Sequence, residues 1–321
     1  MTDDEIDSGP FIEEQRAWLK AHKAETGLSG AEIAKRTATK EGTITNFYSD
    51  RGYAGRELPL AEAVQRYRQQ MAARTTTFVD APDIPGYFET ATSTELLNLL
   101  HWAQRGKMVY APLGSGLGKS MAAHHFATLY PHVYIVTIPP SCGSPGPMQQ
   151  QVLEALGVSN ASGTPRSLSR LICARLAAMH RPVLILDEAQ ELTVKALEEV
   201  RSWYDEIGCG IALLGDQRLS QTINNGAGKQ DLPQLRSRLK RMPARVQPYA
   251  QDVLALAAAW NVQDKRMILE LSRIAQKPGA LRLTTGVLEG ASLLATGREE
   301  VLALGHIQEA AADALRQERV S

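Results

Sequence analysis

With 321 residues, 44% apolar and 22% charged, the chain has the composition of a globular protein of two or three domains, which excludes wholesale disorder and a fibrous repeat. Its 35 Lys and Arg balance 35 Asp and Glu, so bulk charge does not hold it to nucleic acid, although a zero sum is silent on where the charges sit. Cys142, Cys173 and Cys209 lack C-x-x-C spacing, no apolar run reaches the ~18 residues of a membrane span, and the acidic start is unlike a secretory signal, so a cytoplasmic protein away from the membrane is expected.

In chain order, residues 1–74 read as a domain of short helices. Residues 1–15 carry six carboxylates and no Lys or Arg, net −6, whereas residues 16–74 carry eleven basic against six acidic residues, net +5. Within it, Ser29–Arg36, Thr37–Lys40 and Glu41–Phe47 are similar to a helix-turn-helix. Ile33, Ala34 and Ile44 would pack the two helices, and Lys40, Thr43 and Asn46 would face the major groove of double-stranded DNA. Ala38 stands where a turn glycine is usual and Thr39 where an apolar residue is usual; a protein-docking module is the alternative. Thr75–Thr77 and the Pro- and Gly-containing run Asp80–Gly86 mark a linker over 75–90.

Residues 91–247 alternate helical and strand-like segments. Glu95–Gln104, Ser120–Leu129, Leu168–Met179 and Thr193–Glu206 have helical patterns; Met108–Tyr110, Val133–Ile138, Val183–Leu186 and Ile211–Leu214 are short apolar strands, with a Pro/Gly/Ser-rich loop over Pro139–Pro147. Such strands between helices predict an α/β core, a parallel sheet with helices on both faces. After Pro248 the strand signals stop, and Asp252–Trp260, Lys265–Gln276, Thr284–Ala295 and His306–Arg316 predict a helical domain over 248–321.

The chemistry begins at Leu113-Gly-Ser-Gly-Leu-Gly-Lys-Ser120, between a strand and a helix. Glycines let backbone N–H groups wrap a phosphate, a lysine meets the β/γ charge and a hydroxyl meets Mg²⁺. Gly114, Ser115, Gly116, Leu117, Gly118, Lys119, Ser120 and Met121 are thus candidate ATP contacts, with Leu113 where the strict G-x-x-x-x-G-K-[ST] pattern has glycine. The Val183–Leu186 strand ends in Asp187 and Glu188, at the sheet edge where α/β folds bind ligands. There Asp187, with Ser120, would hold Mg²⁺ and Glu188 would polarise the attacking water. Asp216, ending the next strand, is placed to sense a γ-phosphate or simply to make a turn. Residues 229–245 hold six basic residues against Asp231 alone, net +5; Arg236 and Arg238 suit an arginine finger, and Lys229, Arg236, Lys240 and Arg241 suit a DNA backbone, unless they form a solvated basic face. Arg282 opens a helix of the last domain, from which it can swing onto the nucleotide.

This order of motifs resembles the AAA+ P-loop ATPases. Asp187-Glu188-Ala189-Gln190, Gln234-Leu235-Arg236-Ser237-Arg238 and Gly279-Ala280-Leu281-Arg282 further resemble the transposition regulators of the Mu B kind, over about residues 85–295. The resemblance implies a Walker A loop at Gly114–Ser120, a Walker B strand at Val183–Glu188, sensor I near Asp216, an arginine finger at Arg238, sensor II at Arg282 and a helical lid. It further implies an ATP- and Mg²⁺-dependent ATPase that forms a homo-oligomer or helical filament on target DNA in a bacterial nucleoid, serves a transposase and disassembles on hydrolysis. A replication initiator or helicase loader, and a transcriptional regulator with a nucleotide switch, are the alternatives.

Overall fold

The computed structural model describes residues 9–49, 53, 55–78, 86–225 and 232–317, in two units, Met1–Ala81 and Pro82–Ser321. Among its described residues the first holds four helices, α1 (Gly9–Thr26), α2 (Gly30–Thr37), α3 (Glu41–Tyr48) and α4 (Leu58–Phe78). A capping box starts α2: the Glu32 N–H donates to Ser29 Oγ at 3.2 Å and the Ser29 N–H to the Glu32 carboxylate at 2.9 Å. Ala38 closes α2 in the left-handed conformation, φ +53°, so the turn takes the backbone shape of a glycine without the glycine. Thr39 is accommodated by polar means, its hydroxyl 2.8 Å from that of Thr37, which donates to the Ile33 carbonyl at 2.8 Å. Leu19, Ile33, Ile44, Phe47 and Val64 are fully buried and form the unit's core with Ala34.

Helix α4 runs through Thr75–Thr77 to Phe78, where a linker was expected from residue 75. Threonines are poor helix formers rather than breakers, and the prolines that do break helices come later, outside the described residues.

Among its described residues the second unit carries five parallel strands: β1 (Met108–Pro112), β2 (Val133–Thr137), β3 (Val183–Asp187), β4 (Gly210–Gly215) and β5 (Leu239–Arg241), in the order β2-β3-β4-β1-β5. Successive residues point to opposite faces, and both faces are apolar. Met108, Tyr110, Leu184, Leu186, Ile211 and Leu213 pack on one side with α7 (Pro145–Ala155), α8 (Pro165–Ala177) and α9 (Val194–Ile207). Val109, Ala111, Val183, Ile185, Ala212 and Leu214 pack on the other with α5 (Ala91–Gln104) and α6 (Lys119–Leu129). The largest fully buried side chain, Trp203 of α9, satisfies its indole N–H on Ser169 Oγ at 2.7 Å. Burial pushes the Cys173 and Cys209 thiols up to about 12, which makes both packing residues rather than nucleophiles.

Two short helices, α10 (Gln217–Asn225) and α11 (Pro233–Arg238), lead to β5. The unit closes with α12 (Ala250–Ala259), α13 (Lys265–Ala275), α14 (Ala280–Gly297) and α15 (Leu304–Gln317) around Leu256, Leu271, Val287, Leu288 and Ile307. No helix among the described residues is long and apolar enough to cross a membrane.

Candidate nucleotide-binding site

The loop from β1 to α6 is pinned at its start. The Leu113 N–H donates to the Gly215 carbonyl at 2.8 Å and the Gly114 N–H to the Arg245 carbonyl at 2.7 Å. Leu113 is fully buried in the sheet core, which explains an apolar residue where the strict motif has glycine. Gly114 is tightly packed, since a Cβ there would lie 3.0 Å from Val246 Cα and O. Its N–H is already bonded, and the cavity wall begins at Ser115. Gly116 and Gly118 are left-handed, φ +78° and +83°. A Cβ on Gly116 would fall 1.8 Å from the Gly279 carbonyl oxygen, so this loop and the one opening α14 are in backbone contact.

The loop feeds the N-terminus of α6, the helix end that favours anions. Lys119 is buried, and its Nζ donates to the loop carbonyls of Leu113 at 2.8 Å and Gly114 at 3.1 Å. Burial lowers its pKa from the ordinary lysine value, against the pull of Glu188, Asp187 and Asp216, and Arg282 adds to the lowering. Ser120 Oγ donates to Asp187 Oδ2 at 2.5 Å, and Asp187 Oδ1 accepts the Glu188 N–H at 2.9 Å. Glu188 itself is left-handed, φ +56°, ahead of a single 3-10 turn at Ala189–Glu191.

Lys119, Ser120 and Glu188 meet in a cavity of about 510 Å³ lined by Ser115 to Met121, Glu188 and Arg282, with Asp187 behind Ser120. Tyr87, Thr90 and Ser93, and Thr285 and Glu289 of α14, are also part of it; no motif marked them. Tyr87 stacks on His125, ring centroids 3.7 Å apart and planes 9° apart. An aromatic pair, Tyr87-Phe88, directly after the Pro/Gly run was the available signal.

Other candidates lie apart from that wall. Asp216 is half-buried at the end of β4, its carboxylate taking the Arg218 N–H at 2.8 Å and Arg218 Nε at 2.9 Å. Arg238 donates to Asp205 of α9 and to the Gln234 carbonyl, and its partnership holds the Asp205 carboxyl below the usual range. Arg236 donates to the Asn224 carbonyl, and Lys240 Nζ sits 3.5 Å from the Trp102 ring centroid. Arg241 is exposed on the edge strand β5. Arg245, counted in the basic segment, is only 12% exposed in its side chain and paired with Glu95 at 2.9 Å, which corrects that count: it is an internal ion-pair residue. Lys229 lies outside the described residues. In the first unit, Lys40 and Asn46 are exposed and Thr43 half-buried.

Residues 109–223 match the AAA domain family and residues 237–314 match the family described as Mu B transposition protein, C terminal. The chain is 28% identical over 290 residues to the ATP-dependent target DNA activator B of Escherichia phage Mu, covering 90% of this chain and 91% of that protein. It is 28% identical over 270 residues to the Mu-like prophage FluMu DNA transposition protein B of Haemophilus influenzae, covering 83% and 92%. Among solved structures, Cdc6p from Pyrobaculum aerophilum has the same fold at a TM-score of 0.54 and 14% identity, over 74% of this chain and 70% of that one.

Proposed function

We propose that this chain, a relative of the Mu B transposition proteins with an AAA domain at its centre, is an ATPase that binds target DNA in an ATP-dependent manner and activates it for a transposase. The observation that carries the reading is one cavity lined by a buried ammonium, a carboxylate, a lid arginine and the Ser120 hydroxyl, which is bonded behind the wall to the Asp187 carboxylate. The donor set fits Mg²⁺, which is commonly held through one or two carboxylates with phosphates and waters completing the shell. Ser120 and Asp187 would hold it, and when bound it supplies neutralisation of the triphosphate charge. Lys119 exchanges its loop carbonyls for phosphate oxygens, Glu188 takes a proton from water, and Arg282 adds positive charge from the lid. Asp216 is assigned to sensing at the β4 end, and Arg238 to a neighbouring subunit's nucleotide.

In the same reading, residues 1 to about 78 form a helix-turn-helix DNA-binding domain presenting Lys40, Thr43 and Asn46. The core extends to residue 247 and the lid covers 248–321. ATP drives self-assembly, as a helical filament on double-stranded DNA in the bacterial host, with Lys229, Arg236, Lys240 and Arg241 as backbone contacts, and hydrolysis releases it. Such binding is sequence-neutral and weakens with salt.

Duplex-DNA binding with and without ATP, followed by fluorescence anisotropy and electron microscopy, tests this. Lys119→Ala abolishes ATP-dependent binding; Glu188→Gln binds DNA with ATP but neither hydrolyses it nor disassembles. Normal assembly by Lys119→Ala with ATP sinks the proposal.

A further inference from the structure

Gln190 holds a place that the nucleotide reading leaves without a role. Its Nε2 donates to Glu188 Oε2, while its Oε1 accepts the Asp216 N–H at 3.2 Å. The orientation is dictated chemically: reversed, the amide would set oxygen against a carboxylate and N–H against N–H. One side chain therefore ties the carboxylate at the end of β3 to the backbone at the end of β4. Gly215 leaves room for it, since a Cβ there would lie 2.7 Å from Gln190 Oε1. Arg218 braces the same loop from outside, bonded to Asp216 at 2.9 Å and Glu191 at 3.0 Å. Glu188 needs such a restraint, because its left-handed backbone is an unfavourable one for a side-chain residue and its carboxylate stands at the cavity wall.

We infer that Gln190 is a positioning residue: it anchors Glu188 to the end of β4, so that the carboxylate is aimed at the attacking water while one of its oxygens is held. The inference rests on the ATPase reading of this cavity. It separates binding from turnover, since Gln190 is not among the residues lining the cavity.

The test is steady-state ATP hydrolysis by the full chain, with ATP affinity measured in parallel, for wild type, Gln190→Ala, Gln190→Glu and Glu188→Gln. Gln190→Ala lowers kcat at least about tenfold, a fraction of what a general base contributes, and leaves ATP affinity within about twofold. Gln190→Glu preserves the shape; it is slow at alkaline pH and recovers as pH falls, because only its protonated form donates to Glu188. A kcat near wild type in Gln190→Ala, a matching loss of ATP affinity, or wild-type turnover by Gln190→Glu at alkaline pH overturns the inference. A wild type that does not hydrolyse ATP overturns the ATPase reading instead, and turnover that survives Glu188→Gln removes Glu188 as the base and overturns the inference with it.

Discussion

At the scale of single residues, Lys119 sets the charge of the cavity wall. Its ammonium is out of water and satisfied by two carbonyls of the loop that would wrap a phosphate. Those carbonyls carry only partial charge, so burial prevails and the pKa is lowered. A triphosphate restores full negative charge and favours the protonated form. Binding above the lowered pKa therefore takes up a proton, and the sign follows from linkage: affinity is level below that pKa and falls by up to about one log unit per pH unit above it. The fall begins below the ordinary lysine value of about 10.4. Calorimetry at several alkaline pH values, in buffers of different ionisation enthalpy, checks this through the proton uptake; ATP affinity that stays level throughout, with no uptake, contradicts the account.

At the scale of elements, the junction of sheet, loop and C-terminal helices is held by Arg245 and Asp252. Arg245 donates to Thr92 Oγ1 at 3.1 Å, to Glu95 at 2.9 Å and to the Tyr249 hydroxyl, and its carbonyl takes the Gly114 N–H. Fully buried Asp252 accepts the Thr92 N–H at 2.8 Å and hydroxyl at 2.6 Å and the Tyr249 N–H at 2.8 Å, so the starts of α5 and α12 share one carboxylate. Arg245→Ala removes three side-chain bonds at a site only partly screened by water, and is expected to cost about 1–3 kcal/mol. The thermal midpoint then drops by several degrees while the salt dependence of DNA binding stays as in wild type. Arg241→Ala does the opposite, leaving the midpoint and reducing the salt slope by about one. The contrast shows what was legible. β1, β3 and β4 were readable as apolar runs because both faces of a parallel sheet are buried. β5 was not, because Leu239-Lys240-Arg241 has one apolar residue and owes its strand to pairing with β1. α7 was hidden in a Pro/Gly/Ser run that turns out to supply its start, with Ser144 at the N-cap and Pro145 in the first turn. The phosphate loop and Asp187-Glu188 announced themselves through local spacing. Tyr87 and Thr90 did not, because their neighbours in space are distant in sequence, and Gln190, present in the Asp187–Gln190 segment, gave no sign of its bond to the end of β4, which depends on the backbone twist at Glu188.

At the scale of the whole molecule, zero net charge conceals partners already chosen within the chain. Glu13 and Glu14, from the acidic N-terminal stretch, are paired with Arg16 and Arg68, and Arg238 in the basic segment is paired with Asp205. Arg238 is also absent from the wall of its own chain's cavity, which is what a finger offered to a neighbour requires. On the proposed finger role, each active interface of a head-to-tail assembly would take Glu188 from one subunit and Arg238 from the next. Arg238→Ala and Glu188→Gln should each be inactive alone as ATPases, yet complement when mixed. An Arg238→Ala subunit supplies an intact Glu188, and a Glu188→Gln subunit beside it supplies an intact Arg238. Random pairing at equal concentrations restores about one interface in four, so turnover should rise toward a quarter of the wild-type rate when the two are combined on DNA with ATP. If Arg238 acted within its own chain, every subunit would lack one of the two groups and the mixture would stay as inactive as its parts.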